Sequence, residues 1–137
     1  MALTKQQLLD EVLQAAIDLY HVGKLGDAIT HLAEQASAFP KAARLWGYLG
    51  FLYGEAGEHA KAVRAFRKTT TLSPHSEKAS LGLFHSLWNI GKTDAAFDEM
   101  RRFVKSNDSP HYRQLIRDML AEAPSGPRKP RESLVVA

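Results

Sequence analysis

The chain has 137 residues, 45% of them apolar and 24% charged, which is enough for one domain with a packed core. It contains no cysteine, so a disulfide scaffold and a cysteine-ligated zinc site are both excluded. The net charge of +3 is unevenly placed: residues 1–40 sum to −3, 41–76 to +4, 77–122 to zero and 123–137 to +2. The basic charge is therefore a middle stripe and a tail, not the dense patch of a nucleic-acid binder.

The first ten residues, Met1 to Asp10, carry one lysine and no apolar stretch, unlike a secretory signal. No apolar run approaches the roughly 20 residues that span a bilayer. A cytoplasmic protein without membrane contact is the expectation.

Taken in chain order, the apolar spacing predicts helices near 4–21, 25–38, 42–55, 59–72, 76–89, 93–106 and 110–122. The first pair is joined at Gly23-Lys24, the second at Gly57-Glu58 and the third at Gly91-Lys92, a spacing of 34 residues. Ala28, Ala62 and Ala96 repeat at the same interval, as do Leu32, Phe66 and Met100, and Pro40 and Pro74. In the third unit Asp108 takes the proline position, with Pro110 two residues later. Several independent registers agree on one period. Glycine between the runs ends a helix in a left-handed conformation, and proline after the second run disfavours its continuation. Alanine on the second helix lets its partner approach closely, and large residues such as Trp46 and Tyr53 fill the space between units.

In the middle unit, Trp46, Leu49-Gly50, Tyr53, Gly57, Ala62, Phe66 and Pro74 stand at the spacings of the tetratricopeptide repeat, which this chain resembles over about residues 4–108. Thr69 departs from the pattern, which prefers alanine there. The outer units are weaker: Val12, Ala15-Ala16 and Leu19 stand in the first, and Ser80, Leu83-Phe84 and Leu87 in the third. The resemblance implies an all-α fold of three helix-turn-helix repeats, about 4–40, 41–74 and 75–108, wound as a right-handed superhelix. Residues 110–122, with Tyr112, Leu115, Ile116, Met119 and Leu120 on one face, resemble the helix that caps such arrays. This makes 1–122 the folded domain. Residues 123–137 hold three prolines and read as a flexible tail. Within it, Pro124-x-x-Pro127-Arg-Lys could also be read as a polyproline ligand.

No catalytic motif appears. The six histidines form no HExxH pair, and His59 and His75 fall near helix starts as solvated groups. Asp94, Asp98 and Glu99 read as the solvated acidic side of one helix, and Arg64, Arg67, Lys68, Arg101, Arg102 and Lys105 as a solvated basic face. No metal, cofactor, small-molecule substrate or nucleic acid is expected, and the chain is read as a non-enzyme.

The resemblance further implies that the first helix of each repeat lines a concave groove that holds a peptide. Its register gives Leu13, Ile17, Tyr20 and His21, then Arg44, Tyr48, Phe51 and Glu55, then Lys78, Leu81, His85, Trp88 and Asn89. Gly47 and Gly82 would leave hollows between these side chains. Tyr20, Arg44, Tyr48, Phe51, Lys78, His85 and Trp88 are the proposed contact set. Co-chaperones of this family clamp a terminal carboxylate with lysine and asparagine where this chain has Leu13, Ile17 and Phe51, so chaperone-tail binding is not expected. An adaptor or chaperone holding an apolar segment of another protein is the leading expectation. A dedicated partner subunit, such as a toxin-neutralising immunity protein or an assembly factor using convex or edge surfaces, is the alternative.

Overall fold

A computed structural model describes residues 2–122; the predicted tail, 123–137, lies outside the described residues. Among the described residues there are seven α-helices and no strand. They are α1 (Lys5–His21), α2 (Leu25–Gln35), α3 (Ala43–Glu55), α4 (His59–Leu72), α5 (Glu77–Asn89), α6 (Thr93–Val104) and α7 (Pro110–Glu122). Two helices are shorter than the spacing suggests. The last residues of the second run tighten into a 3-10 turn, Ala36–Ala38. The sixth helix stops at Val104, where the Asn107 side chain donates to the Phe103 carbonyl at 2.9 Å.

Local chemistry explains the ends. Thr4 and Gln7 form a reciprocal capping box at the start of α1. Ser76 Oγ accepts from the Ala79 amide at 3.2 Å, and Ser109 Oγ from the Tyr112 amide at 3.1 Å, capping α5 and α7. Gly23, Gly57 and Gly91 all have φ between 76° and 82°, the left-handed conformation that an L side chain resists. The residue after each donates back to a carbonyl five positions earlier, Lys24 to Leu19, Glu58 to Tyr53 and Lys92 to Leu87, at 2.8–2.9 Å.

From α1 to α6 each helix packs against its neighbours in sequence, giving three antiparallel hairpins, and α7 closes the array through Tyr112 against Phe84 and Phe103. Ala28, Ala62 and Ala96 are fully buried where the paired helices meet. One apolar cluster joins α1, α2 and α3 through Leu9, Leu13, Leu32, Leu45, Leu49 and Leu52, with Trp46 and Tyr53 packed on its edge. A second joins α5, α6 and α7 through Leu83, Phe84, Leu87, Met100, Phe103 and Tyr112.

Phe66 of α4 ties the middle repeat to the third. Its ring lies in the space left by two missing side chains, Gly50 on α3 and Gly82 on α5. A Cβ on Gly50 would come within 3.0 Å of the ring, and one on Gly82 within 2.4 Å. The unusual Thr69 is accommodated in the neighbouring turn. Thr69 is buried, donates its hydroxyl to the Ala65 carbonyl at 2.9 Å, and sets its methyl 3.5 Å from where a Gly47 Cβ would stand. The larger side chain at 69 is matched by the smallest at 47.

The cap is held by polar groups as well as by its apolar face. Tyr112 is fully buried. Ser80 donates its one hydroxyl proton to Glu99 at 2.7 Å, so the Tyr112 hydroxyl, 2.8 Å away, donates to Ser80. Arg102 closes the set with two bonds to Glu99, at 2.8 and 2.7 Å, and one to the Pro74 carbonyl at 3.0 Å. Glu99 is thus not on a solvated acidic side as its spacing suggests. It is buried and bonded by Ser80 of α5, which Tyr112 of α7 bonds in turn. Arg102 likewise leaves the free basic face. At the start of the cap, Ser109 and His111 both bond the Glu77 carboxylate, at 2.5 and 2.7 Å, which holds that carboxyl below its usual pKa, the Ser109 hydrogen bond contributing most.

Two expectations follow. Gly82→Ala should destabilise the protein by about 1–3 kcal/mol in chemical denaturation through overpacking against Phe66, despite the ~1 kcal/mol that alanine gains over glycine in a helix. Gly54→Ala, whose Cβ would meet nothing within 4 Å, should instead be neutral or stabilising. Burial pushes the Tyr112 pKa up to about 12. The folded state then keeps a proton that the unfolded chain loses near pH 10, so this contribution is whole below pH 10 and lost as pH rises toward 12. Wild type should therefore lose up to roughly 2 kcal/mol more than Tyr112→Phe between pH 9 and 12 in urea titrations.

Candidate peptide-binding groove

The first helices of the three repeats stand side by side. Asp10 of α1 pairs with Arg44 of α3 at 2.9 Å. Tyr20 of α1 meets Phe51 of α3 edge-on, with ring centroids 5.5 Å apart, and donates its hydroxyl to Glu55 at 3.3 Å. Tyr48 also meets Phe51, with ring centroids 5.7 Å apart. Tyr20, Tyr48 and Phe51 therefore form one aromatic ridge. Phe51 is 41% exposed, unusual for a phenylalanine, and marks the ridge as an unfilled surface. Loss of water around Tyr20 and Tyr48 raises both hydroxyl pKa values, and the Glu55 carboxylate adds to the rise at Tyr20.

Beside the ridge is a hollow of about 630 Å³. Its walls are Leu13 and Ile17 from α1, Arg44, Tyr48 and Phe51 from α3, and Lys78 from α5. Phe66 and Thr69 of α4 form part of its lining between Gly47 and Gly82. The glycines do not leave separate empty pockets, as the sequence suggests. Phe66 fills the space at Gly82, and Thr69 borders that at Gly47, which opens into the same hollow. What remains is one continuous apolar trough. Arg44 and Lys78 sit where α3 and α5 begin, so that end presents two cations beside two helix N-termini, Arg44 being paired with Asp10.

His85 and Trp88 lie elsewhere. They line a separate hollow of about 340 Å³ between α5 and α7, with Leu115, Asp118, Met119, Ala121 and Glu122. Trp88 stacks on Phe84 at 5.9 Å and meets Phe97 edge-on at 5.7 Å, so it also packs α5 against α6 within the third repeat. His85 is exposed by area, yet its ring lies against Phe84 and sheds enough water to lower its pKa. A smaller hollow of about 330 Å³ joins the two, lined by Phe51, Glu55, His59, His85 and Asn89 among others. His59 is half-buried there, and its Nδ1 has no hydrogen-bond partner among the described residues. It is not the freely solvated group that its place at a helix start suggests.

The seven expected contact residues thus divide. Arg44, Tyr48, Phe51 and Lys78 share the large trough, Tyr20 flanks it through Phe51, and His85 and Trp88 belong to the cavity against the cap. Of the wider register, Ile17 lines the trough, Leu13 lines it while buried in the first cluster, and Leu81 packs against the second cluster. Reading the first helices alone missed Phe66, Thr69 and the whole α7 wall. The small residues at 47, 50 and 82 carry the signal for the first two, because they mark where a side chain from α4 must come through.

A family model for the tetratricopeptide repeat matches residues 3–119. The chain belongs to the tetratricopeptide repeat family. No curated protein sequence matches it. Among solved structures, this tetratricopeptide repeat chain is similar to two crystal structures of MamA, at 21% and 19% identity, each with a TM-score of 0.65. The matches cover 70% and 86% of this chain but only 56% and 60% of the MamA chains. It is also similar to SycD, the type III secretion translocator chaperone of Yersinia enterocolitica, at 15% identity and a TM-score of 0.65. That match covers 82% of this chain and 86% of SycD. Identities this low establish a shared fold. No helix among the described residues is long and apolar enough to cross a membrane.

Proposed function

We propose that this tetratricopeptide repeat protein is a non-enzymatic adaptor or chaperone that holds an apolar segment of another protein against its concave face. The observation that carries the reading is the half-exposed Phe51 on the wall of an apolar trough. A solvated face has no use for a ridge of three aromatic rings, whereas rigid aromatic anchors supply much of the energy at peptide-binding sites. Lys78, and Arg44 held by Asp10, would orient the segment by its carbonyl-rich or acidic end. The trough is continuous and apolar, so two or three apolar side chains on one edge of an extended or helical segment would fill it. The likeness to SycD, a chaperone of similar length, is consistent with this reading at the level of fold.

The test separates the ridge from the outer surface. Tyr48→Ala with Phe51→Ala should lower client capture in a pull-down by at least about thirtyfold, since each lost anchor commonly costs 1–2 kcal/mol or more. Helicity and cooperative unfolding should persist, because Phe51 is largely outside the core. Arg64→Glu with Arg67→Glu on the outer face of α4 should leave capture within about twofold. Loss of capture from the α4 changes alone would overturn the groove reading in favour of a partner subunit that binds by its convex side.

A further inference from the structure

The three hollows of the inner face are joined. The cavity between α5 and α7 shares His85 with the middle hollow, and the middle hollow shares Phe51, Phe66 and Gly82 with the large trough. The described chain ends inside the first of them, where Ala121 and Glu122 form part of the wall. The track is also electrically graded. Asp118 and Glu122 line its beginning and Glu55 its middle, near the negative C-terminal ends of α7 and α3; the trough at its far end is apolar, with cations beyond.

The fifteen residues after Glu122 carry matching chemistry in matching order. Arg128, Lys129 and Arg131 come first, then Leu134, Val135 and Val136. We propose that this segment folds back along the track of its own molecule. Its three cations would lie beside Asp118, Glu122 and Glu55, and its three apolar side chains in the trough, as an internal occupant that a client must displace. The inference rests on the groove being the ligand-taking face.

The distances allow it. Trp88 to Lys78 is about 15 Å along α5, and a step to the neighbouring helix adds about 10 Å. The ten residues from Pro124 to Ser133 reach up to about 35 Å when extended. A short tether gives an effective concentration on the order of millimolar, so a free-peptide Kd of about 1 mM already fills half of the grooves.

The experiment compares the full chain with its Leu134→Ser, Val135→Ser, Val136→Ser variant by amide NMR. None of these three positions is among the described core residues. The expected result is that the amides of Gly47, Phe51 and Gly82 shift between the two proteins, independently of concentration. A synthetic peptide of residues 123–137, added to the serine variant, should return those amides toward their original positions saturably, and about 0.5 M salt should weaken it several-fold. Identical groove spectra would overturn the proposal. So would shifts that grow with protein concentration, which would assign the occupant to a second copy. The two readings fail separately. Identical spectra with capture lost in Tyr48→Ala/Phe51→Ala remove only the internal occupant. Tail-dependent shifts with capture intact in that variant remove only the client role of the groove.

Discussion

The ring of Phe66 is the contact on which the inner face depends. It reaches from the outer helix α4 into a gap that exists only because residues 50 and 82 lack side chains. This one ring fixes how closely α3 and α5 approach, and it forms part of the trough between them. A methyl at Gly82 would stand 2.4 Å from the ring, far inside van der Waals contact, and one at Gly50 would stand 3.0 Å from it, so either addition requires the ring to shift. One turn along the helix Thr69 faces Gly47 more loosely, at ordinary van der Waals contact with a Cβ placed there. The groove is therefore shaped by outer-helix side chains projecting through glycine gaps, with the inner helices supplying its walls.

The third repeat departs from the middle one where it meets the cap. A repeat in the middle of an array buries its face against the next copy of itself. Here the next element is a single helix, and the fit is completed by the buried Ser80, Glu99 and Tyr112, with the exposed Arg102 bonded to Glu99 from outside. A buried carboxylate is costly unless its lone pairs are occupied. Glu99 accepts from both Arg102 nitrogens and from Ser80, and Arg102 also reaches the Pro74 carbonyl at the end of the middle repeat. The same network thus joins α7, the third repeat and the loop before it, and it holds the wall of the cavity into which the described chain ends.

The sequence disclosed the helices and the repeat because both are periodic. The glycine turns, the buried alanines and the apolar registers each recur at 34 residues, and the helix ends follow from caps and turns close in sequence. The groove was legible only in part. Tyr20, Tyr48 and Phe51 follow from the inner-helix register, and they do form one ridge. The separation of His85 and Trp88 from that ridge was not legible, because it arises from α7 packing over α5, a contact that no repeat period encodes. Glu99 misled for a similar reason. Its spacing matches a solvated face, and only the arrival of Ser80 and Tyr112 from other helices makes it a buried acceptor. Spacing reports which face of a helix a residue shares, while burial depends on what another element brings to that face.

The central claim, that the concave face takes the ligand, is tested most directly by where a client can be covalently trapped. A photo-reactive phenylalanine analogue at position 48, in the trough, and separately at position 64, on the outside of α4, would be irradiated with the protein in its own cells. The account predicts adducts to one recurring partner from position 48, abolished by Phe51→Ala, and none to that partner from position 64. Adducts from position 64 with none from position 48 would contradict it.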